Sequence, residues 1–389
     1  MTKPHARSTA NDLRGASKLM IDAVTGVTGI VEEMHRNIAR VSPIFGSVPP
    51  GGARGISGMV YRSVRGVTEL VGGGLDLALS QLGPLMGANT MAQRETLLAA
   101  LNGVLGDYMV VTANPLTITM QFRQAGEPLM LERDALRAAM PDANGRLLVL
   151  VHGLCMNDLQ WLREDHDHGA ALAKDLGYTP VYLNYNTGLP ITANGAEFAA
   201  RLEELVKAWP VPVKEITIIG HSMGGLVARS ACEAGGHERH AWRRKLRNVV
   251  FLGSPLLGAP LERAGGWLDM LLGVSPYTAP FARLGNIRSA GVKDLRHGTV
   301  STGEPHKTLA RGVRWFALAA SNQPAPDGPR QRLKSDGLVP VESALGHHKD
   351  AARRLSIAKS RQAVVFGIDH FDLLSSLAVY EKLHGWLKD

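Results

Sequence analysis

A serine stands between glycines at Gly220-His221-Ser222-Met223-Gly224-Gly225, directly after the apolar run Ile216-Thr217-Ile218-Ile219 and directly before Leu226-Val227-Ala228. The pattern predicts a strand, a tight turn and a helix, with the serine at the apex of the turn. So sharp a turn crowds its neighbours. Glycines at 220 and 224 relieve the crowding, and the Ser222 hydroxyl then projects above the end of a sheet. Such a hydroxyl attacks an acyl carbonyl once a base takes its proton. The backbone N–H of Met223, at the helix start, can face the developing oxyanion, aided by the positive end of the helix dipole. A Gly-x-Ser-x-Gly pattern alone is weak; its place between an isoleucine-rich strand and a helix gives it weight.

Acyl transfer also needs a second oxyanion donor, a base and an acid. Leu147 to Val151 is a continuous apolar run of the kind found in buried parallel strands. His152-Gly153-Leu154 follows it, which makes the N–H of Leu154 the expected second donor. Val313 to Ala320 reads as a later strand, and two Asp-Gly pairs lie beyond it. Asp336, in Ser335-Asp336-Gly337-Leu338-Val339-Pro340, is the preferred acid, because the apolar residues after it can pin the loop. Asp327 sits among Pro324, Pro326 and Pro329 and reads as a solvated turn. Ala363 to Gly367 fits the last strand, and His370 follows it as the expected base. His347 and His348 lie in a polar segment before that strand, and His384 lies deep in the last helix. The order Ser222, Asp336, His370 is the one expected of an α/β-hydrolase. In that scheme His370 takes the serine proton, Asp336 fixes the imidazole tautomer, and water later releases the acyl group.

Five stretches together resemble a known family: His152-Gly153-Leu154, Gly220 to Gly225, Leu252-Gly253-Ser254-Pro255-Leu256-Leu257-Gly258-Ala259-Pro260, Ser335 to Pro340, and Asp369-His370. They are similar to the bacterial esterase/lipase group of α/β-hydrolases, whose relatives include the lipase-like domain of GPI inositol-deacylases. The resemblance covers about residues 107 to 389. It implies an α/β fold with a mostly parallel central sheet flanked by helices, a cap insertion at about 256–312, and a carboxylic ester hydrolase working through an acyl-enzyme on Ser222. No cofactor and no metal are expected. Such lipases commonly carry a histidine after the Gly-(Thr/Ser)-Pro stretch; here Leu256 stands in its place.

The elements that must position these residues are legible in outline. Leu116 to Phe122 alternates like a strand, Pro180 to Asn184 and Val249 to Leu252 read as strands, and Gly195 to Val206 has helical apolar spacing. Trp267, Leu268, Met270, Leu271, Leu272, Tyr277 and Phe281 fall in the expected cap, which implies a substrate with an apolar acyl part. Residues 1–106 are expected to form a separate helical segment before a catalytic domain at 107–389. Arg14, Gly15, Ser17 and Val24 recur at Arg54, Gly55, Ser57 and Val64, a faint two-copy repeat, and a third helix is predicted over Met91 to Val104. Two readings of this segment stand: helices packed on the catalytic domain, or an amphipathic module for a membrane, a lipid surface or a partner.

Composition narrows the classes. The chain has 389 residues, 45% of them apolar and 20% charged, enough to bury a full core. Its two cysteines, Cys155 and Cys232, exclude a disulfide framework. A catalytic cysteine at 155 has no matching base arrangement. The net charge of +8 suits a basic soluble surface or a peripheral contact with anionic lipid, whereas nucleic acid is not expected, because only 5% of the residues are aromatic and no recognition motif is present. No apolar run approaches the roughly 20 residues of a membrane span, and Met1 to Gly15 has no leader-like stretch, so a cytoplasmic protein is expected. Asp165-His166-Asp167-His168 reads as a solvated helix start rather than a metal cluster. The same triad would serve an amidase, a thioesterase or a polyester depolymerase, and a lipid- or partner-binding protein on a hydrolase scaffold is the alternative from another class.

Overall fold

The computed structural model describes residues 91–258, 289–297, 309–325 and 334–388. The two-copy repeat, the apolar residues named for the cap and Asp327 lie outside the described residues. The chain divides into two compact units, Met1–Arg94 with Val111–Leu116, and Glu95–Val110 with Thr117–Asp389. In the first, the described part includes a short turn in which Asn114 Oδ1 accepts from the Leu116 N–H at 2.9 Å. The second holds the sheet and all the residues singled out for chemistry.

Helix α1 is Met91–Val111. A hairpin of β1, Gln121–Gln124, and β2, Glu127–Pro128, comes next, then α2, Arg133–Ala139. Strand and helix then alternate: β3 Arg146–Val151, α3 His168–Leu176, β4 Thr179–Asn184, α4 Ile191–Ala208, β5 Glu215–His221, α5 Met223–His237 and β6 Leu246–Leu252. Helix α6, Ala290–His297, β7, Arg314–Ser321, the short α7, Val341–Ala344, β8, Gln362–Phe366, and α8, Leu377–Leu387, complete the order.

The eight strands form one sheet in the order β2-β1-β4-β3-β5-β6-β7-β8. Strand β1 runs antiparallel to β2 and β4, and every other pairing is parallel. Parallel strands covered by helices on both faces read as unbroken apolar runs. Leu147 to Val151 are all fully buried, as are Ile216, Ile218, Ile219 and Val249 to Leu252. Each such leucine or isoleucine stabilises the fold by about 1.5–3 kcal/mol relative to leaving it in water. Helices α4 and α5 pack on each other, and Trp242 closes their edge by donating from Nε1 to the Ala199 carbonyl at 3.0 Å.

Register decides what emerges at the C-terminal edge. Val151 is aligned with both Leu183 and Gly220, and His221 with Leu252. His152, Tyr185, Ser222 and Gly253 therefore leave the sheet within one residue of the same level, where ligands of open α/β sheets bind. Among the described residues no helix is long and apolar enough to cross a membrane.

The alternating segment Leu116 to Phe122 contains a strand only at its end. Met120 and Phe122 are buried in alternation, but β4 pairs no earlier than Gln121. The Ile118 N–H bonds instead to the Asn102 side chain at 2.9 Å. Helix α1 also outruns its expected end at Val104, reaching Val111.

Candidate active site

Ser222 occupies the junction of β5 and α5 with φ 52° and ψ −123°, a left-handed backbone that a non-glycine residue adopts only under constraint. The constraint comes from packing. A Cβ on Gly224 would fall within 2.6 Å of the His152 carbonyl oxygen and nearer still to that of Val151, so only glycine lets α5 start this close to β3. Met223 is the first residue of α5, and its N–H is one of the four that have no acceptor within the helix. The loop after β3 lies alongside. A Cβ on Gly153 would be 3.1 Å from Ser222 Cβ and 3.2 Å from His221 Nδ1. Leu154, next in that loop, is fully buried.

Two residues at β4's exit hold this loop. The Tyr185 hydroxyl donates to the His152 carbonyl at 2.9 Å, and its ring stacks on His152 at 4.5 Å. Thr187 Oγ1 accepts from the Cys155 N–H at 3.1 Å. Neither residue was singled out from the sequence. The signal was there in Asn184-Tyr185-Asn186-Thr187, a polar and aromatic cluster at the C-terminal end of the strand that pairs with β3.

The structure brings Asp336 and His370 together. His370 Nδ1 lies 2.7 Å from Asp336 Oδ2, with both side chains 1% exposed, and the His370 N–H donates to the Asp336 carbonyl at 3.0 Å. The other carboxylate oxygen, Oδ1, accepts from the N–H groups of Leu338 and Val339 at 2.9 and 2.7 Å. The apolar residues after Asp336 thus fix the carboxylate by their backbone as well as by burial. Gly253, at φ 56°, lies under the pair: a Cβ there would sit 3.2 Å from His370 Cε1 and 3.3 Å from Asp336 Oδ2. That close approach is the physical content of the Gly253-Ser254-Pro255 stretch.

Ser222 Oγ and His370 Nε2 are both buried without a hydrogen-bond partner. His221 reaches across to the same loop. Its Nε2–H donates to the His370 carbonyl at 3.0 Å and its ring packs 4.7 Å from the His370 ring. Burial, reinforced by the neighbouring His370, holds the His221 pKa well below the usual value for histidine. His221 is therefore a neutral donor, and it was read in the sequence only as part of the glycine-serine turn.

Cys155 and Cys232 are buried, and desolvation pushes both thiols up to about 12. Neither carries appreciable thiolate near neutrality, so neither is a nucleophile there. Within Asp165-His166-Asp167-His168, Asp167 caps α3 by accepting from the Ala170 N–H at 2.9 Å. The expected solvated start is corrected at His168, which is fully buried. His168 Nε2–H donates to the Leu373 carbonyl at 3.0 Å, three residues after His370, and its Nδ1 accepts from His166 Nε2 at 2.8 Å.

Burial lowers the pKa of His152 and of His168 to about 4. A histidine depressed from 6.5 in the unfolded chain binds fewer protons when folded. Its stabilising contribution is full above 6.5 and is lost as pH falls towards 4, at about 1.4 kcal/mol per pH unit for each histidine. Thermal midpoints should therefore fall between pH 6.5 and pH 5, before most carboxylates titrate. His168→Gln, which keeps a donor for Leu373, should flatten that slope; an unchanged slope would remove His168 from the account.

A mostly parallel eight-stranded sheet in this order, with a strand–serine–helix turn at its middle strand, is the α/β-hydrolase fold. A family model described as a domain of unknown function (DUF7379) matches residues 115–302. That span includes Leu154 and Ser222 and ends before Asp336. A lipase from Bacillus licheniformis in its mature form has 20% identity and a TM-score of 0.43, covering 63% of this chain and 92% of that one. An esterase from Pyrococcus furiosus has 12% identity and a TM-score of 0.40, covering 64% and 82%. An esterase from Pyrobaculum calidifontis has 14% identity and a TM-score of 0.38, covering 63% and 75%. No curated protein matches the sequence.

Proposed function

We propose that this chain is a serine hydrolase that cleaves carboxylic esters through an acyl-enzyme on Ser222. The Asp336–His370 pair carries the reading. A carboxylate oxygen only accepts, so the 2.7 Å contact between Asp336 Oδ2 and His370 Nδ1 supports a proton on Nδ1, with the Nε2 lone pair free to act as a base. Two buried groups in this tautomer, beside a serine on a strained turn, match what nucleophilic attack requires. His370 takes the Ser222 proton as Oγ forms a bond to the acyl carbon. The carbonyl oxygen becomes an oxyanion held by the N–H groups of Met223 and Leu154. The tetrahedral intermediate collapses, His370 protonates the leaving alkoxide, and water repeats the sequence on the acyl-enzyme. The apolar residues of the cap sequence favour an ester with an apolar acyl part.

A fluorophosphonate probe tests the activated serine without a guess at substrate. Intact mass should rise by a single adduct, and peptide mapping should place it on Ser222. An adduct elsewhere, or none, would overturn the assignment. A panel of p-nitrophenyl esters, thioesters, amides and polyester films then ranks the leaving groups, with esters expected to turn over fastest.

A further inference from the structure

We infer that helix α1 is a brace for the oxyanion loop, with Gly103 as its positioning residue. The inference rests on the function proposed above and extends it to a helix that precedes the sheet. Within Glu95–Val110, α1 is buried on several sides: Leu97, Leu101, Val104 and Met109 are each at most 1% exposed. Its glycine face meets the loop that carries Leu154. A Cβ on Gly103 would lie 3.1 Å from both Cα and N of Cys155 and would overlap its Sγ. Cys155 directly follows Leu154 and has φ 58°, a backbone held by its surroundings. One turn away, Asn186 Nδ2 donates to the Gly106 carbonyl at 3.1 Å.

The same stretch of α1 is fastened to the start of α6. Ser289 Oγ donates to the Gly103 carbonyl at 2.7 Å, and Asp107 Oδ2 accepts from the Ala290 N–H at 2.8 Å. The helix is thus tied through Gly103, Gly106 and Asp107 to Cys155, Asn186, Ser289 and Ala290. An oxyanion donor works only when its N–H points at the place where charge develops, and a shift of a few tenths of an ångström weakens it. The brace sets that aim through Cys155.

Gly103→Ala separates this role from ordinary helix stability, because alanine is the better helix former and by propensity alone would stabilise α1. The substitution should lower kcat on a soluble p-nitrophenyl ester about tenfold or more, with KM changed less than about twofold. Adding Cys155→Gly to Gly103→Ala removes the overlapped Sγ and suits the positive φ, and should restore most of kcat. Gly236→Ala, where a Cβ meets nothing within 4 Å, should leave turnover unchanged. Cys155 supplies a readout independent of catalysis, since α1 covers its thiol. Maleimide should leave wild type unmodified under native conditions and should label Cys155, but not Cys232, in Gly103→Ala. If Gly103→Ala does not fold, Ser289→Ala loosens α1 without adding volume, and should accelerate Cys155 labelling and lower kcat to a smaller degree. Full activity with Cys155 still protected in both variants would overturn the brace. Cys155 exposed with kcat unchanged would equally overturn it. Failure of the fluorophosphonate to label wild type would instead refute the proposed function, and the maleimide pattern would still report whether α1 covers the loop.

Discussion

Ester turnover by Ser222→Ala is expected to fall by about 10⁴–10⁶-fold, the largest effect of any single substitution in this chain. The proposed nucleophile and its proton are removed together, and neither cysteine can replace them. Cys155 and Cys232 are held protonated by burial. The proposed oxyanion donors are backbone groups and would survive the change, so a residual rate above that in water should persist. Ser222 Oγ has no hydrogen-bond partner to lose, and alanine accepts the same φ of 52° as readily as serine. Thermal stability should therefore stay within about 0.5 kcal/mol of wild type. Initial rates on a p-nitrophenyl ester, read beside the melting curve, check both statements. Retention of more than a tenth of the activity by a folded variant would mean that the chemistry lies elsewhere.

Asp336→Asn should cost about 10⁴-fold in kcat for a different reason. An asparagine can keep its oxygen on the N–H groups of Leu338 and Val339, where Oδ1 now accepts at 2.9 and 2.7 Å. The amide nitrogen then faces His370 Nδ1. Since that nitrogen only donates, His370 is driven to the tautomer with its proton on Nε2, where the lone pair is needed. The loop stays in place and the base is disabled. Asp327→Asn should leave kcat within about twofold, as expected from its proline-rich sequence setting. Kinetics of the two variants decide between the candidates, and the reverse pattern would move the acid to Asp327.

The parts of this design that were legible in the sequence are those set by local pattern. Strand β3 and the inner parts of β6 and β7 are unbroken apolar runs because both of their faces are covered, and the ends of the parallel strands fix where Ser222, Leu154 and His370 emerge. Asp336, which the structure sets against His370, stood out because Leu338 and Val339 follow it. Contacts made across the sheet left no such trace. His221 reads as a filler of the serine turn until its Nε2–H is found on the His370 carbonyl, 149 residues away. Gly103 lies inside the predicted helix and Gly106 just beyond its predicted end at Val104. In the fold they are the points where α1 approaches Cys155 and Asn186 too closely for a side chain. The Leu116 to Phe122 segment has strand periodicity without a partner for most of its length, and periodicity reports burial rather than pairing.

The proposed base arrives late. Residues from Arg146 to Leu252 supply the serine turn, the oxyanion loop and four adjacent strands, while His370 follows β8, which pairs at the outer edge of the sheet with β7 alone. During vectorial synthesis the earlier strands can pair before β8 has been made, because domains assemble from the N-terminal side and distant pairings form slowly. A nascent or truncated chain would then carry a formed turn and an inert hydroxyl. Regain of esterase activity during refolding should accordingly lag behind the recovery of secondary structure, and enzymatic competence becomes a timer for the docking of the last strand.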